Sequence, residues 1–233
     1  KIYSTGGTYD FITSMGVKAT KVEDVTGYPS ILDGRVKTLH PKIFGGILAI
    51  RDNDEHQNQI INYEIPEIDL VIVDLYPFEQ TVKSHASEAD IIEKIDIGGI
   101  SLIRAAAKNY NDVLIVSHKG QYQKLCNIIA ENNCSTTLDI RREFDRDAFG
   151  ISSNYDSAIF NWFDNNQMSE LKLSQREFSP LRYGENPHQQ AKFFGNFDEM
   201  FQKLHGKEVS YNNILDIEAG IGLIREFDDT TVA

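Results

Sequence analysis

"DLVIVDLYPF", Asp69 to Phe78, is apolar on both alternating faces and is stopped by Pro77. A run of this kind reads as a strand buried on both sides of a parallel sheet. "VLIVS", Val113 to Ser117, reads as a second. Between them, "SEADIIEKI" and "ISLIRAAAKNY" carry helical spacing. Beyond them come "QYQKLCNIIAENN" and a longer helical stretch from Ser135 to Phe163, with Ser135 or Thr136 as the expected N-cap. Strands alternating with helices indicate an open α/β fold, and such sheets bind ligands at the carboxyl ends of their strands.

Upstream, "KIYSTGGT" reads as the end of a strand entering a glycine turn, so the chain is expected to begin in the middle of a fold. "YDFITSMG" suits a short helix closed by Gly16, and "VKATKVEDV" alternates like a strand. Downstream, "DNNQMSELKLSQREFSP" loses apolar periodicity and predicts a linker near residues 166–178. The expected division is residues 1–170 for the first domain and 171–233 for the linker and the start of a second α/β domain. So short a remainder cannot bury a core of its own.

Composition sets limits on function. With 35 acidic and 23 basic residues the net charge is −12, which argues against a general nucleic-acid binder but not against a small anionic substrate. No apolar run is long enough for a membrane helix, and no secretory leader opens the sequence, so a cytoplasmic location is expected. Two cysteines and scattered histidines form neither a disulfide framework nor a metal site.

Against that acidity, "GRVKTLHPKIFGG" (Gly34–Gly46) gathers Arg35, Lys37, Thr38 and His40. In an extended backbone Arg35 and Lys37 point to one side, as for a phosphate or a developing oxyanion. "STGGT" (Ser4, Thr5, Gly6, Gly7, Thr8) offers backbone N–H groups before a helix, where phosphate binds, although a plain tight turn needs the same residues. Tyr76 ends the best strand, either as a core edge or as a ligand contact. In "IDIGGISLIRAAAKNY", Asp96 precedes Gly98 and Gly99 and a helix carrying Arg104 and Lys108. Asp96 and Lys108 suggest a proton-transfer pair, but they meet only if the Asp96 segment folds back along the helix.

Taken in order, "STGGT", "GRVKTLHP", "DLYPF", "IDIGG…LIRAAAKN" and "LRYGENPHQ" resemble the bifunctional purine-biosynthesis enzyme family, which joins IMP cyclohydrolase to AICAR transformylase. The similarity runs along essentially the whole chain. It implies a methylglyoxal-synthase-like fold, a doubly wound parallel sheet, that closes formyl-AICAR to IMP with loss of water. By motif, Lys37, Tyr76, Asp96 and Lys108 match the family's catalytic positions. Ser4 to Thr8, Arg35, Thr38, Gly98 and Gly99 match its nucleotide-binding loops. In the second domain Arg182, Tyr183, His188 and Asn213 match AICAR contacts. Asp74 departs from the asparagine common at that position in the family, and a carboxylate cannot donate as an amide does.

The resemblance further implies no cofactor for ring closure, 10-formyltetrahydrofolate as cosubstrate of the transformylase, and a homodimer acting on formyl-AICAR, AICAR and IMP. It also implies a longer parent at both ends, because the Lys-His pair that serves formyl transfer is missing from this sequence. Two readings on the same fold compete. A regulatory domain binding a phosphorylated effector would use the glycine loops but not Tyr76, Asp96 or Lys108. A phosphate-eliminating lyase would act on a triose phosphate instead.

Overall fold

The computed structural model describes residues 1–165, 167–229 and Val232. The chain divides into two compact units, Lys1–Lys172 and Leu173–Ala233. Of the expected linker, Asn166 lies outside the described residues.

The first unit opens with β1 (Tyr3–Ser4), α1 (Gly6–Ser14), β2 (Thr20–Lys21) and α2 (Val22–Thr26). β1 and β2 pair in parallel, with Tyr3 opposite Thr20. The strand expected over "VKATKVEDV" is therefore only two residues long. Glu23 and Asp24 favour the first turn of a helix instead, and Val22 turns into the core at 5% exposure.

α3 (Pro41–Leu48) starts where proline suits a first helical position, and the His40 ring accepts the Lys42 N–H at 3.1 Å. Ile43 and Ile47, one turn apart, are buried together. The paired glycines have a packing cause, since a Cβ on Gly46 would lie 2.1 Å from the Pro66 carbonyl oxygen. α4 (Asp54–Asn62) then leads to β3 (Leu70–Ile72).

After β3 the chain forms α5 (Phe78–Lys83), α6 (Glu88–Ile92) and α7 (Gly98–Lys108), then β4 (Leu114–Val116). β3 and β4 pair in parallel from Leu70↔Leu114 to Ile72↔Val116. β4 is buried at every residue, as its sequence predicts, whereas Ile72 of β3 is 49% exposed. α5 was not anticipated from the sequence, because its first residue, Phe78, reads only as the close of the apolar strand run.

α8 (Tyr122–Glu131) and α9 (Leu138–Asp164) complete the unit. The N-cap of α9 is Thr137, whose hydroxyl accepts the Ile140 N–H, and not Ser135 or Thr136. Phe144, Ala148, Ser152 and Tyr155 form its buried stripe, spaced four, four and three residues apart. The upper part of that stripe packs with Ile103, Ala106 and β4 into the main core. Burying a side chain such as Ile103 or Phe144 fully stabilises by about 1.5–3 kcal/mol. A second cluster gathers Phe78, Ile91 and Tyr155, with Trp162 packed against it.

In the second unit β5 (Phe178–Pro180) pairs antiparallel with β6 (Lys192–Phe194), followed by α10 (Phe197–Met200) and α11 (Tyr211–Ile224). Ser210 and Asn213 form a reciprocal capping box on α11. Among the described residues of this unit no apolar side chain is buried. None of the helices among the described residues is long and apolar enough to cross a membrane.

Candidate functional site

Four segments of the first unit meet through a few side chains. Ser4 is buried at the end of β1, and Thr5 begins α1 without capping it through its hydroxyl. The first-turn N–H groups of Gly6, Gly7 and Thr8 thus have no intrahelical partner. Lys37 reaches this turn: a Cβ on Gly6 would lie 3.2 Å from Lys37 Nζ, and one on Gly34 would lie 2.8 Å from it.

Residues 32–38 form a tight turn instead of the extended strand that would align Arg35 with Lys37. Leu32, Asp33 and Gly34 all have positive φ, and Arg35 is helical at φ −62° and ψ −19°. The two cations consequently diverge. Lys37 faces Gly6 and Gly34, while the exposed Arg35 guanidinium pairs with Glu93 at the end of α6. Thr38 turns towards α7, where a Cβ on Gly98 would lie 2.9 Å from its Oγ1.

Asp96 is 9% exposed. Its Oδ1 accepts the Gly99 N–H at 2.6 Å, closing the first turn of α7. Burial raises its pKa above the usual carboxylate value, against the opposing pull of the Gly99, Tyr76 and Ile100 N–H groups. The Tyr76 backbone therefore faces Asp96, while the Tyr76 ring is exposed in the loop after β3 with Lys94 Nζ 5.6 Å from its centroid. A buried carboxylate with raised proton affinity can exchange a proton, and Lys37 with the free N–H groups of α1 can stabilise an anion.

Lys108 does not join them. It ends α7, which is helical from Gly98 throughout, so about 15 Å of helix separates it from the Asp96 cap. Within one chain the Asp96–Lys108 pair is not formed. Lys108 shares a helix face with Arg104, whose guanidinium reaches Ser152 and the ring of Phe149 on α9.

Asp74, the departure from asparagine, accepts a hydrogen bond from the Tyr122 hydroxyl. Burial and that carboxylate push the Tyr122 pKa up to about 12. The contact ties the loop after β3 to the start of α8. Sequence reasoning missed Tyr122, Glu93, Lys94 and Tyr155, all of which touch the site's segments. None lies in a motif; only the tyrosine at the end of a buried stripe leaves a trace.

In the second unit Arg182 lies over the Tyr183 ring and donates to its hydroxyl at 3.2 Å. His188 is exposed, and the Asn213 side chain is engaged in the α11 cap. A nearby cleft of about 310 Å³ is lined by Gly184, Glu185, Gln189, Gln190, Ala191 and Tyr211. The four residues expected from sequence flank it without lining it. Among the described residues no group of His, Cys, Asp or Glu is placed to hold a metal ion.

Residues 106–233 match the family described as AICARFT/IMPCHase bienzyme. The chain belongs to that family. Residues 1–101 match the MGS-like domain. Among the relatives of this AICARFT/IMPCHase bienzyme chain, a protein of Bacteroides thetaiotaomicron named bifunctional purine biosynthesis protein PurH is 62% identical over 99% of the chain and 45% of its own length. The Rhodospirillum rubrum protein of the same name is 46% identical over 100% of the chain and 46% of its own length. The chain thus spans a little under half the length of these curated relatives. A solved structure titled "Crystal structure of ForH" aligns with a TM-score of 0.58 at 30% identity, covering 70% of this chain and 85% of that one.

Proposed function

We propose that the first unit closes formyl-AICAR to IMP with loss of water. The observation that supports this best is that Lys37 lies against the open N-terminus of α1 while the next residue, Thr38, approaches Gly98 in the turn that the buried Asp96 carboxyl closes through Gly99. In this reading the carboxamide nitrogen attacks the formyl carbon. The formyl oxygen gains negative charge, which Lys37 and the Tyr76 hydroxyl stabilise. Asp96 takes a proton from the attacking nitrogen and passes it to the formyl oxygen, giving a carbinol. The carbinol hydroxyl then leaves as water with the proton given up by the former formamide nitrogen as the C=N bond forms. Arg35, Thr38, Gly98, Gly99 and the Ser4–Thr8 turn hold the nucleotide phosphate. Ring closure uses no cofactor.

The second unit contributes Arg182, Tyr183, His188 and Asn213 to an AICAR-binding surface, for a transformylase that takes its formyl group from 10-formyltetrahydrofolate. The enzyme works in the cytoplasm, as a homodimer, on small purine nucleotides. Lys108 takes part in ring closure only from a second copy of the chain, since its own Asp96 is out of reach.

Incubation with formyl-AICAR, followed by the absorbance of IMP, tests the central reading. IMP should form, and Lys37→Ala should depress kcat while Arg35→Ala mainly raises KM. Absence of IMP with the unaltered protein would overturn it.

A further inference from the structure

Asp96 is held from behind. Its backbone N–H donates to the Tyr155 hydroxyl at 2.9 Å, and that hydroxyl donates in turn to the Lys94 carbonyl. Tyr155 belongs to α9, 59 residues further along the chain. It is 7% exposed, and its ring packs edge-on against Phe78 at 6.1 Å. Phe78 packs in the same way against Trp162 at 6.0 Å. One phenol oxygen therefore fixes two backbone groups on either side of Ile95, and the ring beneath it rests on the first residue of α5.

We infer that Tyr155 is a positioning residue for the proton-transfer carboxylate, holding segment 94–96 so that Asp96 stays against Gly99 and the Tyr76 backbone. The inference rests on the role proposed above for Asp96. A purely core role would need only the ring. The hydroxyl is what joins α9 to the site, and it uses both its donor and its acceptor capacity to do so. Burial pushes the Tyr155 pKa up to about 12, so the phenol keeps the proton with which it donates to Lys94. The titratable groups around the contact are Asp96 and Lys94 on its own segment, Tyr76 in the loop after β3, and Asp156 on α9.

The test is Tyr155→Phe, which keeps the ring and its contact with Phe78. Three quantities are compared with the unaltered protein: amide exchange at Asp96, titration of its carboxyl by carbon NMR, and ring-closure kinetics. The Asp96 amide should exchange at least ~10-fold faster, as for a lost buried hydrogen bond. Its carboxyl should titrate lower, nearer the value of a solvated aspartate, because the loosened segment lets water in. The kcat should fall by about 10-fold with KM nearly unchanged, a loss of orientation and not of binding. Unchanged amide exchange and an unchanged Asp96 titration overturn the inference. Should the unaltered protein make no IMP, the ring-closure reading falls, while exchange and titration still decide the role of Tyr155. Rapid exchange of the Asp96 amide in the unaltered protein refutes it without any variant.

Discussion

Asp96 and Lys108 stand at opposite ends of one helix, the first closing its opening turn through Gly99 and the second ending its last turn. If both serve ring closure, they come from different copies of the chain. Asp96→Asn and Lys108→Ala are each expected to lower kcat by at least ~10²-fold, the scale of a lost general acid or base. Mixed and allowed to exchange subunits, the two variants should regain about a quarter of the original activity. Half of the dimers then carry one copy of each, and one of their two sites is whole. Activity recorded after exchange of labelled subunits checks this; no recovery would rule out a shared site.

Gly34 has φ +81°, and Lys37 Nζ lies 2.8 Å from where its Cβ would be. Gly34→Ala should both strain the turn and push Lys37 aside. The melting temperature should fall by about 2–8 °C, from a backbone penalty of about 1–2 kcal/mol, and kcat should fall with it. Gly7, in the first turn of α1, has open space around its Cβ position. Gly7→Ala should leave the melting temperature level or slightly raised. Calorimetry on both variants separates strain from general sensitivity to mutation.

Arg35 is engaged with Glu93, and both side chains are more than half exposed. A nucleotide phosphate must compete with that carboxylate for the guanidinium. Glu93→Gln should therefore tighten binding of a nucleotide product such as XMP by up to about fivefold, the reach of an exposed ion pair. Calorimetric titration measures it, and the gain should shrink in high salt. Weaker binding in Glu93→Gln would mean that Glu93 helps to orient Arg35.

Asp145 on α9 is 7% exposed, and its Oδ1 has no hydrogen-bond partner. Burial raises its pKa to about 7, despite the opposing charge of Arg141. The folded state then holds this proton more tightly than the unfolded state, whose carboxyl keeps a value near 3.8. Stability from this group is full below that value and is lost as pH rises to about 7. Asp145→Asn, neutral throughout, should melt higher than the parent at pH 8 and show a flatter pH dependence between pH 4 and pH 7. Parallel melting curves for the two proteins across that range would show that Asp145 is solvated.

The sequence exposed α1, α6, α7, α8 and α9 and the strands around Val71 and Ile115 because their signals are local, in apolar runs, helical spacing and the glycine after α1. The helices α2, α3, α4, α5, α10 and α11 were not read from it. It placed Lys37, Tyr76 and Asp96 in adjoining loops through motif and fold class together. It misjudged the direction of Arg35, since three consecutive positive φ values are not implied by "ILDGR". Nor could it show Tyr155 or Tyr122 reaching the site, because each contact joins positions 48 to 61 residues apart and depends on how α8 and α9 dock. Spacing rules describe one element at a time; these contacts belong to two.

The distance in sequence between Asp96 and Tyr155 also sets an order of events during synthesis. The segment bearing Asp96 leaves the ribosome well before the tyrosine that hydrogen-bonds its backbone. At about 5–20 residues per second, the 59 residues between the two take about 3–12 s to make. For that interval segment 94–96 lacks the hydroxyl that bonds it from behind. This corner of the fold is thus completed late, by the arrival of α9.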